Sequence, residues 1–103
     1  MSEAIRAAFR GQGKSCAMLG SPFMGRLLPL LATRLQPTGA VARRILHWPG
    51  DVGPGAQSVP LRTAGALHGL VLDGVDEDLA AAYPPNEVSD AALWRAVDAA
   101  LTR

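Results

Sequence analysis

Arg62 and His68 are the polar residues best placed to do chemistry. They sit inside the most apolar run of the chain, V-P-L-R-T-A-G-A-L-H-G-L-V-L-D, residues 59–73. Read as a helix, this run puts them on different sides, so a small ligand touches both only by crossing the helix. Two readings stand for the pair. In the structural one, His68 is a hydrogen-bonded core histidine and Arg62 ties a loop carbonyl or carboxylate. In the functional one, at least one of them lines a pocket for a small acidic ligand, because arginine grips carboxylates through a bidentate fork. Trp48 and Asp51 in W-P-G-D, and Tyr83 in Y-P-P-N, complete the candidate ligand-binding set. Each also has a plainer reading. W-P-G-D is then a packed corner with Asp51 capping the turn, and Y-P-P-N a simple helix exit.

Catalytic chemistry has less material. The chain has no G-x-S-x-G, C-x-x-C, H-E-x-x-H or P-loop pattern. Cys16 lies on an apolar stripe with no activating neighbour and reads as a small core residue. Two histidines and one cysteine are too few for a closed zinc site, which takes four ligands. The sequence therefore leans away from an enzyme, and no catalytic residue, metal or cofactor is expected. Arg6, Arg10 and Lys14 form a basic row, with Arg43 and Arg44 further on. No aromatics interleave them, so nucleic acid is not an expected partner.

The elements that position these residues are helical. Of the 103 residues, 49% are hydrophobic and only 5% aromatic. Alanine and leucine dominate over β-branched residues, which favours helix over sheet. The predicted order begins with a helix over 2–19, in which Gly11 and Gly13 invite a break. A second helix runs from Ser21-Pro22 to about residue 35 and is kinked at Pro29, on a face away from its leucines. A short helix ends at His47, and the Gly/Pro-rich loop 49–57 follows. Next comes the helix over 59–73, apolar almost all round and so expected to be enclosed on several sides. Ser58 is its expected cap. Its two glycines, Gly65 and Gly69, suggest that another backbone passes close by. A short helix starts at the acids Asp76-Glu77-Asp78, Pro84-Pro85 forces an extended segment, and a last helix starts at Ser89-Asp90. The expected fold is all-α, a compact orthogonal bundle of five to six helices around the helix 59–73, with residues 1–103 as a single domain.

The net charge of +1 hides an asymmetry. Residues 1–50 carry seven basic residues against Glu3, while 51–103 carry three against eight acids, giving halves of +6 and −5. The halves either neutralise one another within the fold or leave a dipolar surface for a partner. A lone cysteine and no signal-peptide pattern make a reducing cytoplasm the expected home, and no apolar stretch is long enough to span a bilayer.

Three stretches also carry a resemblance: L-G-S-P-F (19–23) with the leucines after it, W-P-G-D (48–51), and V-P-L-R-T-A-G-A-L-H-G-L-V-L (59–72) followed by Y-P-P (83–85). In order and spacing they resemble the N-terminal part of the bacterial domain-of-unknown-function family 2332, over nearly the whole chain. The resemblance implies no established activity. It does imply longer relatives whose later part holds a stretch like E-L-G-A-S-A-G-L-N, similar to the glycine-rich loop of S-adenosylmethionine-dependent methyltransferases. This chain would then correspond to a helical N-terminal unit serving as a lid or docking element. The first functional expectation is a non-catalytic helical module that docks to itself or to another protein. The alternative is a small-ligand or substrate-binding domain with a pocket near Arg62 and His68.

Overall fold

The computed structural model describes residues 2–48 and 58–102. Six helices lie among them: α1 (Ser2–Met18), α2 (Pro22–Arg34), α3 (Ala40–Leu46), α4 (Val59–Leu72), α5 (Glu77–Ala81) and α6 (Asp90–Leu101). The fold is all-α, with no strand among the described residues.

Local chemistry explains most boundaries. Ser21 Oγ accepts from the Met24 N–H and Pro22 opens α2, as its start signal requires. Gly20 ends α1 at φ +100, where the Ser21 N–H reaches the Cys16 carbonyl and the Gly20 N–H reaches that of Ala17. Gly74 closes α4 the same way at φ +69, with Val75 donating to Leu70 and Gly74 to Val71. Both are Schellman closures, which need a left-handed residue that glycine supplies without a Cβ penalty. Asp76 Oδ1 caps α5 through the Leu79 N–H, and Ser89 Oγ caps α6 through that of Ala92. Ser58 makes no such bond at α4. Pro60, at the second helical position, removes one of the two N–H groups a cap accepts from. Pro84-Pro85 is a turn rather than an extended segment. Its peptide bond is cis, and the Asn86 N–H donates back to the Tyr83 carbonyl.

Helix α2 carries the most heavily packed leucines of the core, and the helix at 59–73 packs beside it against α1, α2 and α5. Leu27, Leu28 and Leu31 are sealed from solvent, and α1, α4 and α6 all pack on α2. They meet Phe9 and Ile5 from α1, Leu67 and Ala64 from α4, and Leu93 and Val97 from α6 in one core. Helix α4 buries Val59, Pro60, Thr63, Ala64 and Leu67, smaller side chains on the whole than the leucines of α2. Its Arg62, Gly65, Ala66, His68 and Leu72 are exposed. The apolar count of this helix overstated its enclosure, because glycine and alanine add apolar character with little area to bury.

The close backbone approach also lies elsewhere. At Gly65 and Gly69 an added Cβ would meet nothing within 4 Å. At Gly13 it would stand 2.8 Å from Pro29 Cδ, and at Gly25 it would stand 2.9 Å from Ala17 Cβ. Helices α1 and α2 therefore run antiparallel with their backbones in near contact, and α1 passes through Gly11 and Gly13 unbroken. The Pro29–Gly25 side, expected to lie away from the packed leucines, is the side α1 covers. Arg6 fastens the far end of this pair, donating to the Ala32 and Leu35 carbonyls at 2.7 Å each. These carbonyls belong to the last turn of α2, where helices leave acceptors unsatisfied.

Candidate functional site

An apolar groove of about 310 Å³ opens where α3, α4 and the end of α6 converge. Each helix contributes one stripe. Val41, Ile45 and Trp48 line it from α3 and the residue pair after it. Val59, Ala66 and Leu70 form the α4 wall, and Ala100 with Leu101 closes the third side. The α4 stripe recurs at helical spacing, turned away from the core residues Pro60 and Ala64, while Val59 and Leu67 border both core and groove. So α4 has two working faces, one facing the core and one facing the groove.

The polar groups of the groove are few: Arg44, Arg62 and Thr63. The Thr63 hydroxyl donates to the Val59 carbonyl at 2.9 Å, a bond within its own helix. Arg62 lies with its guanidinium carbon 5.5 Å from the centre of the Trp48 ring. This cation–π contact holds the long side chain beside the groove without neutralising it. Neither Arg44 nor Arg62 has a carboxylate partner among the described residues. The groove thus combines aliphatic walls, an indole and two positive charges with no carboxylate partner among the described residues.

The five sequence-nominated residues divide. Trp48 and Arg62 come together in the groove. His68 and Tyr83 come together away from it, their rings stacked at 6.3 Å with 27° between planes. Phe23 also packs on Tyr83, with ring centroids 4.5 Å apart and 50° between planes. Asp51 and the rest of the loop 49–57 lie outside the described residues. His68 is exposed, so it is not the hydrogen-bonded core histidine of the structural reading, and nothing joins it to Arg62. Tyr83 is buried, and its hydroxyl has no hydrogen-bond partner among the described residues. Burial disfavours the phenolate and pushes this phenol up to about 12.

Arg44 is the groove residue that sequence reasoning passed over. In the sequence it reads only as one of the scattered basic residues. Yet positions 41, 44, 45 and 48 fall on one helical face, and that spacing already grouped Arg44 with Trp48.

The charge halves meet at Arg26 and Asp90. Arg26 donates to Asp90 Oδ1 through Nε at 3.0 Å and Nη2 at 2.8 Å, and to the Val88 carbonyl at 2.8 Å. The other ion pair, Arg10–Glu3, stays within α1. No group of three His, Cys, Asp or Glu side chains among the described residues could hold a metal ion. No helix among them is long and apolar enough to cross a membrane.

These features define a small all-helical protein that carries, among its described residues, an apolar groove with a cationic rim. The family model of an uncharacterized protein conserved in bacteria, DUF2332, matches residues 6–103, and the chain belongs to that family. Comparison with curated proteins and with solved structures finds no match.

Proposed function

We propose that this chain is a helical binding module without chemistry of its own, and that the α3–α4–α6 groove is its working surface. The observation that carries the reading is the groove lining. Among the described residues it offers apolar contact and two guanidiniums without a carboxylate partner, and no carboxylate, imidazole or thiol to act as acid, base or nucleophile. Pockets of this kind, apolar with a few convergent polar groups, are the usual form of ligand sites. The test is fluorescence of 8-anilinonaphthalene-1-sulfonate, an apolar anion, added to the native chain. Emission should rise on binding and fall when Ala66→Leu fills the groove. Emission unchanged by Ala66→Leu would place the dye elsewhere and remove the support for this surface.

A second reading, docking to a second copy, is supported by a separate observation. Met18 and Leu19 are each 87% exposed, Leu72 is 72% exposed and Val75 63%. With halves of opposite charge, two copies can also attract one another head to tail. The solution mass by light scattering, at low and high salt, tests it. A dimer that dissociates in salt supports it, and a monomer at both salts rejects it.

A further inference from the structure

Resting on the binding reading above, we infer that the α3–α4–α6 groove takes a compact apolar monocarboxylate, its carboxylate held by Arg44 and Arg62 and its body lying along the aliphatic floor.

Size sets the first limit. A groove of about 310 Å³ has room for roughly ten water-sized atom groups, at about 30 Å³ each. That suits an aryl-alkanoic or medium-chain acid.

Polarity sets the second. The Thr63 hydroxyl is committed to the Val59 carbonyl, so among the described residues the lining keeps two guanidiniums and one indole N–H, all of them donors. A sugar or nucleoside would bury hydroxyl protons with no acceptor among these groups, a cost of a hydrogen bond each. An alkyl or aryl body leaves nothing unpaired against Ile45, Val59, Leu67, Leu70 and Leu101.

Charge sets the third. Two guanidiniums on one groove, with no carboxylate among the described residues to neutralise them, attract an anion. Their planar forks match a carboxylate in particular. The Trp48 ring beneath Arg62 limits where that fork can swing, so part of its ordering is complete before a ligand arrives.

The test uses two molecules of the same shape, 3-phenylpropanoate and 3-phenylpropanamide, titrated into the full chain and followed by amide and indole NMR shifts. The acid should shift Trp48 and the α4 groove stripe and bind at least about tenfold more tightly than the amide, and less tightly as salt rises. Arg62→Gln and Arg44→Gln should each bring the acid towards the amide, while Arg62→Lys should recover only part of the loss. Melting curves of the variants show whether each remains folded, and Ala66→Leu should weaken acid and amide alike. Equal binding of acid and amide, unmoved by Arg62→Gln, overturns the carboxylate inference and leaves the binding reading standing. Shifts confined to residues outside the groove overturn the inference, and no groove shift with either compound overturns both.

Discussion

The near contact of α1 and α2 yields a quantitative prediction from one substitution made at two positions. Gly13→Ala places a methyl 2.8 Å from Pro29 Cδ, 3.1 Å from Pro29 Cγ and 3.4 Å from Leu28 Cβ. Carbon contacts are comfortable at about 3.5–4.0 Å, so the helices must separate by roughly 0.7–1 Å. The proline ring is closed onto its own backbone and cannot turn aside. Overpacking of this kind costs about 1–3 kcal/mol. Alanine also returns about 1 kcal/mol of helix propensity, which leaves a net loss of roughly 0–2 kcal/mol. Gly11→Ala, two residues away on the same helix, gains that propensity and meets nothing within 4 Å. It should stabilise by about 0.5–1 kcal/mol. The difference between the two variants is therefore the contact term alone, about 1–3 kcal/mol, or a gap of roughly 4–20 °C in melting temperature. Thermal melts followed by circular dichroism would measure it. If the two variants melt within about 2 °C of each other, the crossing is not tight and the reasoning fails. Gly25→Ala should behave like Gly13→Ala and be partly rescued by Ala17→Gly, since the clashing atom at 2.9 Å is Ala17 Cβ.

Arg6→Ala should destabilise by about 1–3 kcal/mol in urea titrations, because it strands two carbonyls at the end of α2. Arg6→Lys should recover only part, since a single ammonium cannot span both acceptors; a loss below about 0.5 kcal/mol for Arg6→Ala would count against the cap. Gly69→Ala should stabilise by about 0.5–1 kcal/mol, and a marked loss on melting would mean that a neighbour does cross there. Tyr83 makes stability depend on pH at the alkaline end. The unfolded phenol titrates near 10 and the folded one at about 12, so its contribution is complete below about pH 10 and is lost as pH rises towards 12. The loss, up to about 2–3 kcal/mol, should vanish in Tyr83→Phe, and an unchanged pH profile in that variant would refute the assignment.

The helices were legible in the sequence because their punctuation is local. Ser21-Pro22, Gly20, Gly74 and Ser89 each act within a turn of their own position, and each ends or starts a helix where expected. The all-α class followed from the same signals with the composition. Relations between helices were harder to read. Gly65 and Gly69 looked like a crossing and Gly13 like a weak point, yet the crossing is at Gly13. A glycine says only that a Cβ is missing, and the helix opposite decides whether that space is used. The same gap split the candidate site. Trp48 and Arg62 meet because the ends of α3 and α4 converge, whereas His68 leaves on another face to stack on Tyr83. Arg6 shows the reverse error. It read as one member of a solvated basic row, because its partners are backbone carbonyls 26 and 29 residues away that leave no mark in side-chain chemistry.

The pairing of α1 with α2 across a three-residue connection also bears on how the chain acquires its shape. Contacts near in sequence close small loops and cost little chain entropy, so they can form early. This hairpin joins Phe9 and Ile5 to the leucines of α2 before any distant segment is needed. The link from Arg26 to Asp90 spans 64 residues and has to wait for the rest of the chain to arrive. The hairpin is thus the predicted nucleus, with α6 expected to dock after it. Damage at Gly13 should then slow folding, while damage at Asp90 should chiefly hasten unfolding.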